Sequence, residues 1–253
     1  MGVDFKAVTA KIRNIDPATV LEYLGYWDVI TPRTLHERYL RWLFAALSVR
    51  TGWKPNVRYY QAVTTQDWHT EEELREVIHA VGHGLYNAKV SACWGIHQAF
   101  MMRERNGRPF LHPREAGWKV KNGRVRWGAW RNRLRALPHC GMKTISFALE
   151  MCWPRECEVV AVDRHVARWY GLAKSDALTD KRYKELENHW ISKVRERREA
   201  ENIVFPSAIV RHILWDVEHG RTDTHYWSHV FNPLETVKST NWEKHANRMC
   251  AVA

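Results

Sequence analysis

LPHCGMKT (residues 137–144) sets a proline, a glycine and a lysine between two segments that both read as helix. RNRLRALP before it carries Arg131, Arg133 and Arg135, and KTISFALEMCW after it is an apolar helical run. A tight helix-hairpin-helix turn leaves the first backbone N–H groups of its second helix without intrahelical acceptors. A duplex phosphate can sit on them, helped by the positive end of the helix. Gly141 is expected to supply an unusual dihedral or a close approach to that phosphate, with the three arginines near the nucleic-acid backbone. The octamer alone is equally satisfied by an ordinary turn with a solvated Lys143.

Asp163 lies twenty residues further on, in AVDRHVARW, directly after the apolar run VVAV and at the start of another helix. An N-cap is one role for such a carboxylate. Facing a cleft is another, and one group can do both. With Lys143 at the mouth of the hairpin, the two make a sensible pair of amine nucleophile and carboxylate.

Around this pair the chain reads as helical throughout. Leu35, Tyr39, Leu40, Leu43 and Leu47 recur at three- and four-residue spacing between Thr34 and Val49. A further helix opens near Asn56. Thr70 caps the next, with acids in its first turn and Gly82 or Gly84 as its stop. YNAKVSACWGIHQAFMMRERNG is another helix ending at glycine. Residues 108–128 have two Pro, three Gly and no helical period, so they read as loop, with a short ribbon at VKNGRV turning on Asn122-Gly123. KRYKELENHWISKVRERREAE is a long polar helix with Leu186, Trp190 and Val194 on its packed stripe, and FPSAIVRHILWDVEHG is an apolar one. The tail from Arg221 has little pattern. No alternation of strands and helices appears, so the fold class is mostly α.

Composition narrows the partners. With 39 Lys and Arg against 28 Asp and Glu, the formal charge of +11 favours a polyanion. Residues 103–135 alone hold eleven Lys or Arg and two Glu, a local +9 that is either a solvated loop or an added nucleic-acid surface. The five cysteines (Cys93, Cys140, Cys152, Cys157, Cys250) form no C-x-x-C pair or close quartet. That argues against an iron–sulfur cluster or structural zinc and for a reducing compartment, cytoplasmic, nucleoid-associated or nuclear. The fourteen histidines include no H-E-x-x-H, so no catalytic metal is expected, and no run of 18 apolar residues would span a membrane. Most of the fourteen tryptophans should be core, Trp94 among them; Trp118, Trp127, Trp130 and Trp169 stand where either cleft or core is open.

LPHCGMKTISFALEMC…VVAVDRHVARW resembles the helix-hairpin-helix/GPD superfamily of base-excision DNA glycosylases, both endonuclease III-like and 8-oxoguanine glycosylase-like. The motif of that superfamily runs L-P-G-[VI]-G-x-K-[TV] and then V-D-x-H-[VI]. GLYNAKVSAC is similar to its G-[LF]-Y-x-x-K-A segment and LSVRTGW to its L-S-x-Q-T block, so the resemblance covers roughly residues 35–175 in order. It implies a two-lobed helical glycosylase fold in a single unit, with residues 1–34 and 176–253 packing together to complete one lobe. It implies double-stranded DNA with a damaged or modified base as partner, the base flipped into the cleft between the lobes, and a protein that is a monomer. Lys143 takes the position of the nucleophilic lysine and Asp163 that of the family carboxylate; Gly141 is the second hairpin glycine. Arg50 stands where a glutamine fills the gap left in the duplex, and is otherwise a surface ion-pair partner; Lys89 falls in the matched G-Y-x-x-K-A segment, on the DNA side.

Departures from the pattern matter too. His139 and Cys140 replace Gly and Val, so His139 either contacts a phosphate or shows that the turn needs no glycine there. The cysteine-ligated cluster of many members cannot be built with Cys250 alone beyond Cys157, and no cofactor is expected. The chemistry implied is attack of neutral Lys143 on C1′ with base release, followed by β-elimination at the abasic site. A modified-base transferase on the same fold and a noncatalytic DNA-binding protein are the rivals. The identity of the base stays open among oxidised, alkylated, mismatched and hypermodified ones, with GMK…VDRH leaning slightly to the archaeal-type 8-oxoguanine enzymes.

Overall fold

The computed structural model describes residues 2–101, 110–118, 120–121, 124–220 and 228–231. In chain order the helices are α1 (Phe5–Arg13), α2 (Pro17–Ile30), α3 (Leu35–Leu47), α4 (Trp53–Thr65), α5 (Glu71–Val81) and α6 (Tyr86–Met101). A two-residue ribbon, β1 (Val120–Lys121) with β2 (Arg124–Val125), pairs antiparallel with Val120 opposite Val125. Then follow α7 (Trp127–Leu134), α8 (Met142–Cys152), α9 (Arg164–Trp169), α10 (Asp180–Glu201), α11 (Ser207–Glu218) and α12 (Ser228–Phe231). The chain is mostly α, as expected. The Asn122-Gly123 turn, the glycine end of the α6 segment and Cys250 lie outside the described residues.

Local chemistry explains where these helices start and stop. Thr34 and Thr70 each close a capping box, with Glu37 and Glu73 returning to the cap backbone. Gly82 ends α5, and Pro17 occupies the first turn of α2, where its missing N–H costs nothing. The α4 helix begins three residues before Asn56, directly after Gly52.

Helix α3 is the hub, nine of its residues buried, and it packs on α8, α6 and α4. At the other side α1 lies along α10 and α2 along α11. One hydrophobic core runs through all of it, from Val8 to Phe231. Phe231 belongs to the patternless tail yet is 1 % exposed. Its ring meets Phe44 at 5.1 Å and Tyr60 at 5.7 Å, under the Arg41 guanidinium at 3.4 Å. Periodicity missed it because a single anchoring side chain has no period.

The tryptophans go mainly to the core. Trp127, Trp130 and Trp169 are buried, which removes them as surfaces for a base. Trp94 is only half-buried and packs against Trp68 and His97. No helix among the described residues is long and apolar enough to cross a membrane.

Candidate active site

The hairpin between α7 and α8 has its unusual backbone at a residue other than the one expected. His139 takes φ 51°, the left-handed region, whereas Gly141 is extended at φ −75°, ψ 174°. The turn therefore does need what a glycine offers at its first motif position, and an exposed histidine supplies it at a cost of about 1 kcal/mol. Gly141 is the N-cap of α8 and brings no side-chain acceptor to the helix's first N–H groups. A Cβ there would meet nothing within 4 Å, so the approach to those N–H groups is open. The hairpin seats on α6 through Gly95, where a Cβ would stand 2.7 Å from Pro138 Cδ.

Lys143, the second residue of α8, points its ammonium at the turn after α3 and donates to Ser48 Oγ at 2.7 Å. Ser48 in turn donates to Ala45 O at 2.7 Å, leaving an oxygen lone pair for the lysine. The lysine nitrogen lies 5.2 Å over the Phe147 ring. Burial pulls its pKa from 10.5 to about 8; Asp163 and Glu150 pull the other way, and Arg211 adds to the lowering.

Asp163 is the N-cap of α9: one carboxylate oxygen accepts from His165 N and Val166 N, both at 2.9 Å. The capped carboxylate also lies within the electrostatic reach of Lys143. The connection leading to Asp163 is buried and pairs with no strand, so its backbone groups need other partners. Three successive N–H groups find them. Val160 N donates to Glu187 at 2.9 Å, Ala161 N to Glu150 at 3.0 Å and Val162 N to Tyr183 Oη at 3.1 Å. Both carboxylates are themselves buried and each is paired with a buried arginine, Glu187 with Arg131 and Glu150 with Arg211.

Aromatic rings gather where the end of α11 meets α9, the helix that Asp163 caps. Trp215, one turn after Arg211 on α11, stacks on His219 with centroids 4.0 Å apart and lies 6.3 Å from His165. Glu218 ties this end of α11 to α9 through Arg168, at 2.9 Å, and through the Trp169 indole N–H.

No protein-family model and no curated protein sequence matches the chain. The arrangement therefore stands on its own geometry.

Several residues expected on a DNA surface lie elsewhere. Arg131 is 1 % exposed and consumed by Glu187 and by Ser146 Oγ, the latter at 3.2 Å; a guanidinium so placed does not reach a phosphate. Lys89, 2 % exposed, donates to Gly84 O at 2.6 Å and Val49 O at 3.4 Å, tying two inter-helix turns together. Arg133, by contrast, is exposed with its guanidinium 5.6 Å from the Trp118 ring. Arg135 is exposed in a surface pair with Asp180 at 2.5 Å, a link weak enough for a phosphate to replace. Arg50 is exposed in the α3–α4 turn, at φ 49°, two residues from Ser48.

Ser48, Glu150, Arg211 and Trp215 were not among the expected site residues. Ser48 sits inside the LSVRT block. Arg211 had a visible signal: a charge in the middle of the apolar run SAIVRHILW.

Proposed function

We propose that the protein is a DNA glycosylase that excises a damaged or modified base through Lys143, with abasic-site β-lyase activity following from the same covalent step. The observation that carries the reading is the Lys143 ammonium: held at 2.7 Å by Ser48 within electrostatic reach of the Asp163 carboxylate, with a pKa lowered to about 8. A sizeable fraction of such an amine is neutral near pH 7.5, as a nucleophile requires.

In the proposed reaction the nucleotide leaves the duplex stack, at a cost of a few kcal/mol. The Lys143 nitrogen lone pair forms a bond to C1′ as the glycosidic C1′–N bond breaks, its electrons leaving with the base, which takes up a proton. Asp163 stabilises the positive charge that develops on the sugar. Ring opening gives an imine, and loss of a C2′ proton expels the 3′ phosphate and nicks the strand. The open N-terminus of α8, exposed His139 and exposed Arg50, Arg133 and Arg135 support contact with the DNA backbone, and Trp215 stacked on His219 offers a wall for the flipped base.

Borohydride trapping across a panel of lesion-containing and abasic duplexes tests this. A covalent adduct that disappears in Lys143→Ala is expected. No adduct with any duplex, or an undiminished adduct in the variant, sinks the mechanism.

A further inference from the structure

Glu150 and Arg211 have no surface to serve. Glu150 is 0 % exposed and Arg211 3 % exposed. The pair is tightly made: Arg211 Nε donates to both Glu150 oxygens at 2.9 Å, and its Nη2 lies 2.7 Å from Glu150 Oε2. Burying two charges is expensive enough that a packed apolar pair of the same size is often at least as stable. What the pair adds is connection. Glu150 lies seven residues after Lys143 on α8, two turns along and on the same face. Its Oε1 also accepts from Ala161 N at 3.0 Å, two residues before Asp163. Arg211 brings in α11, which carries Trp215 one turn further on. The three elements that bear the lysine, the carboxylate and the aromatic wall thus meet at one carboxylate.

We infer that Glu150 and Arg211 are positioning residues of the Lys143–Asp163 site: the pair fixes where the Asp163 connection crosses α8 and sets the charge beneath the lysine. The inference rests on the lysine-nucleophile reading. Neither residue touches the reacting atoms. The other titratable groups around the pair are His212 beside Arg211 at 3.4 Å, Cys157 and Tyr183, each kept neutral by burial at moderate pH. Asp163 completes the set, and it acts on all three of Lys143, Glu150 and Arg211.

Two variants should move the titration of Lys143 in opposite directions. Glu150→Gln keeps an oxygen for Ala161 N–H but leaves Arg211 uncompensated, so the lysine should titrate roughly one pH unit lower. Arg211→Met removes the cation whose pull on the lysine exceeds that of Glu150, and the buried Glu150 carboxyl, already pushed up to about 7, then takes up a proton; the lysine should titrate higher, by less than it falls in Glu150→Gln. Borohydride trapping should slow by about tenfold or more in both, as expected when a charge-and-geometry support is lost. The pH midpoint is read twice: from the trapping rate, and from NMR titration of the reductively 13C-methylated full chain, with the Lys143 resonance assigned by its absence in Lys143→Arg. Opposite midpoint shifts support the inference, and in the NMR arm they do so even if no duplex is ever trapped, an outcome that fells the glycosylase reading alone. Midpoints that stay at the wild-type value, or move the same way in both variants, overturn it while leaving the glycosylase reading intact. Where either variant does not fold, Arg211→Lys is read instead: an unmoved midpoint with trapping, or mobility of the Lys143 resonance, clearly changed is the expected result. Wild-type behaviour in both readouts overturns the inference.

Discussion

The Lys143 ammonium donates to Ser48 Oγ at 2.7 Å, across 95 residues of sequence, and this bond joins the start of α8 to the turn that ends α3. It favours the charged amine, so it opposes the lowering that burial imposes. Ser48→Ala should therefore move the Lys143 midpoint below about 8, and trapping at pH 7 should change by less than tenfold because a larger neutral fraction offsets a less ordered amine. The pH profile of borohydride trapping checks the direction. A midpoint that rises would show that the serine does not hold the ammonium.

Lys143 also makes a stability prediction whose sign is fixed by linkage. Its folded pKa of about 8 lies below the 10.5 of an unperturbed lysine. Between these values the unfolded chain binds more protons, so stability rises with pH through that window. Below it the buried charge is a full cost. Lys143→Met should consequently stabilise the protein near pH 7 by ~1–2 kcal/mol, after allowance for the partial exposure of the ammonium. The gain should shrink as pH rises from 8 toward 10.5. Paired urea denaturations at pH 7 and pH 10 measure it; a constant difference at both would contradict a perturbed lysine.

The hairpin separates backbone need from residue identity. His139 holds φ 51° and Gly95 lies where a methyl group would meet Pro138 at 2.7 Å. His139→Gly should raise stability by about 1 kcal/mol. Gly95→Ala should lower it by about 1–3 kcal/mol, since Pro138 is ring-locked and cannot swing aside. Thermal melts distinguish the two directions, and a duplex-binding assay on His139→Gly shows whether the imidazole contributes anything beyond shape.

The arginines before the hairpin illustrate what the sequence could and could not convey. Arg131, Arg133 and Arg135 look alike in RNRLRALP, but α7 turns Arg131 inward to Glu187, which the chain supplies 56 residues later. A long-range ion pair leaves no local pattern. The helices themselves were legible because caps and apolar periods are local, as at Thr70 and Asp163. The spacing of Lys143 and Asp163 was visible in the sequence, whereas Ser48, Glu150 and Arg211 come near them only because segments far apart in the chain meet. His139 was read as an oddity; its positive φ is a property of the turn, which residue type alone does not reveal.

Removing Arg131 should accordingly act on folding. Arg131→Met strands the Glu187 carboxylate in the core and should destabilise by about 3–5 kcal/mol. Arg135→Ala breaks only an exposed pair with Asp180, expected to cost under about 1 kcal/mol. On duplex DNA the order should reverse: the salt dependence of binding loses up to about one phosphate contact in Arg135→Ala and none in any folded fraction of Arg131→Met. Equal salt slopes for wild type and Arg135→Ala would remove Arg135 from the DNA surface.

Four of the described histidines should make the fold acid-sensitive. Burial lowers the pKa of His36 to about 4, that of His212 well below its usual value, and those of His112 and His189 by less, with Glu156 and Glu115 restraining His112 and Lys193 adding to the lowering at His189. His212 is enclosed, its ring 4.5 Å from Trp27 and its Nε2 beside the Arg211 guanidinium, so a proton there has no room for hydration. For each group the folded pKa lies below the unfolded value near 6.5, so the unfolded chain binds more protons between the two. Stability contributed by the neutral rings is present above pH 6.5 and is lost as pH falls toward 4. Denaturation midpoints should therefore drop steeply between pH 6.5 and 4.5, before most carboxylates titrate. Replacing His212 with Phe, which keeps a ring against Trp27 and takes no proton, should flatten that slope; an unchanged slope would place the acid sensitivity on other groups.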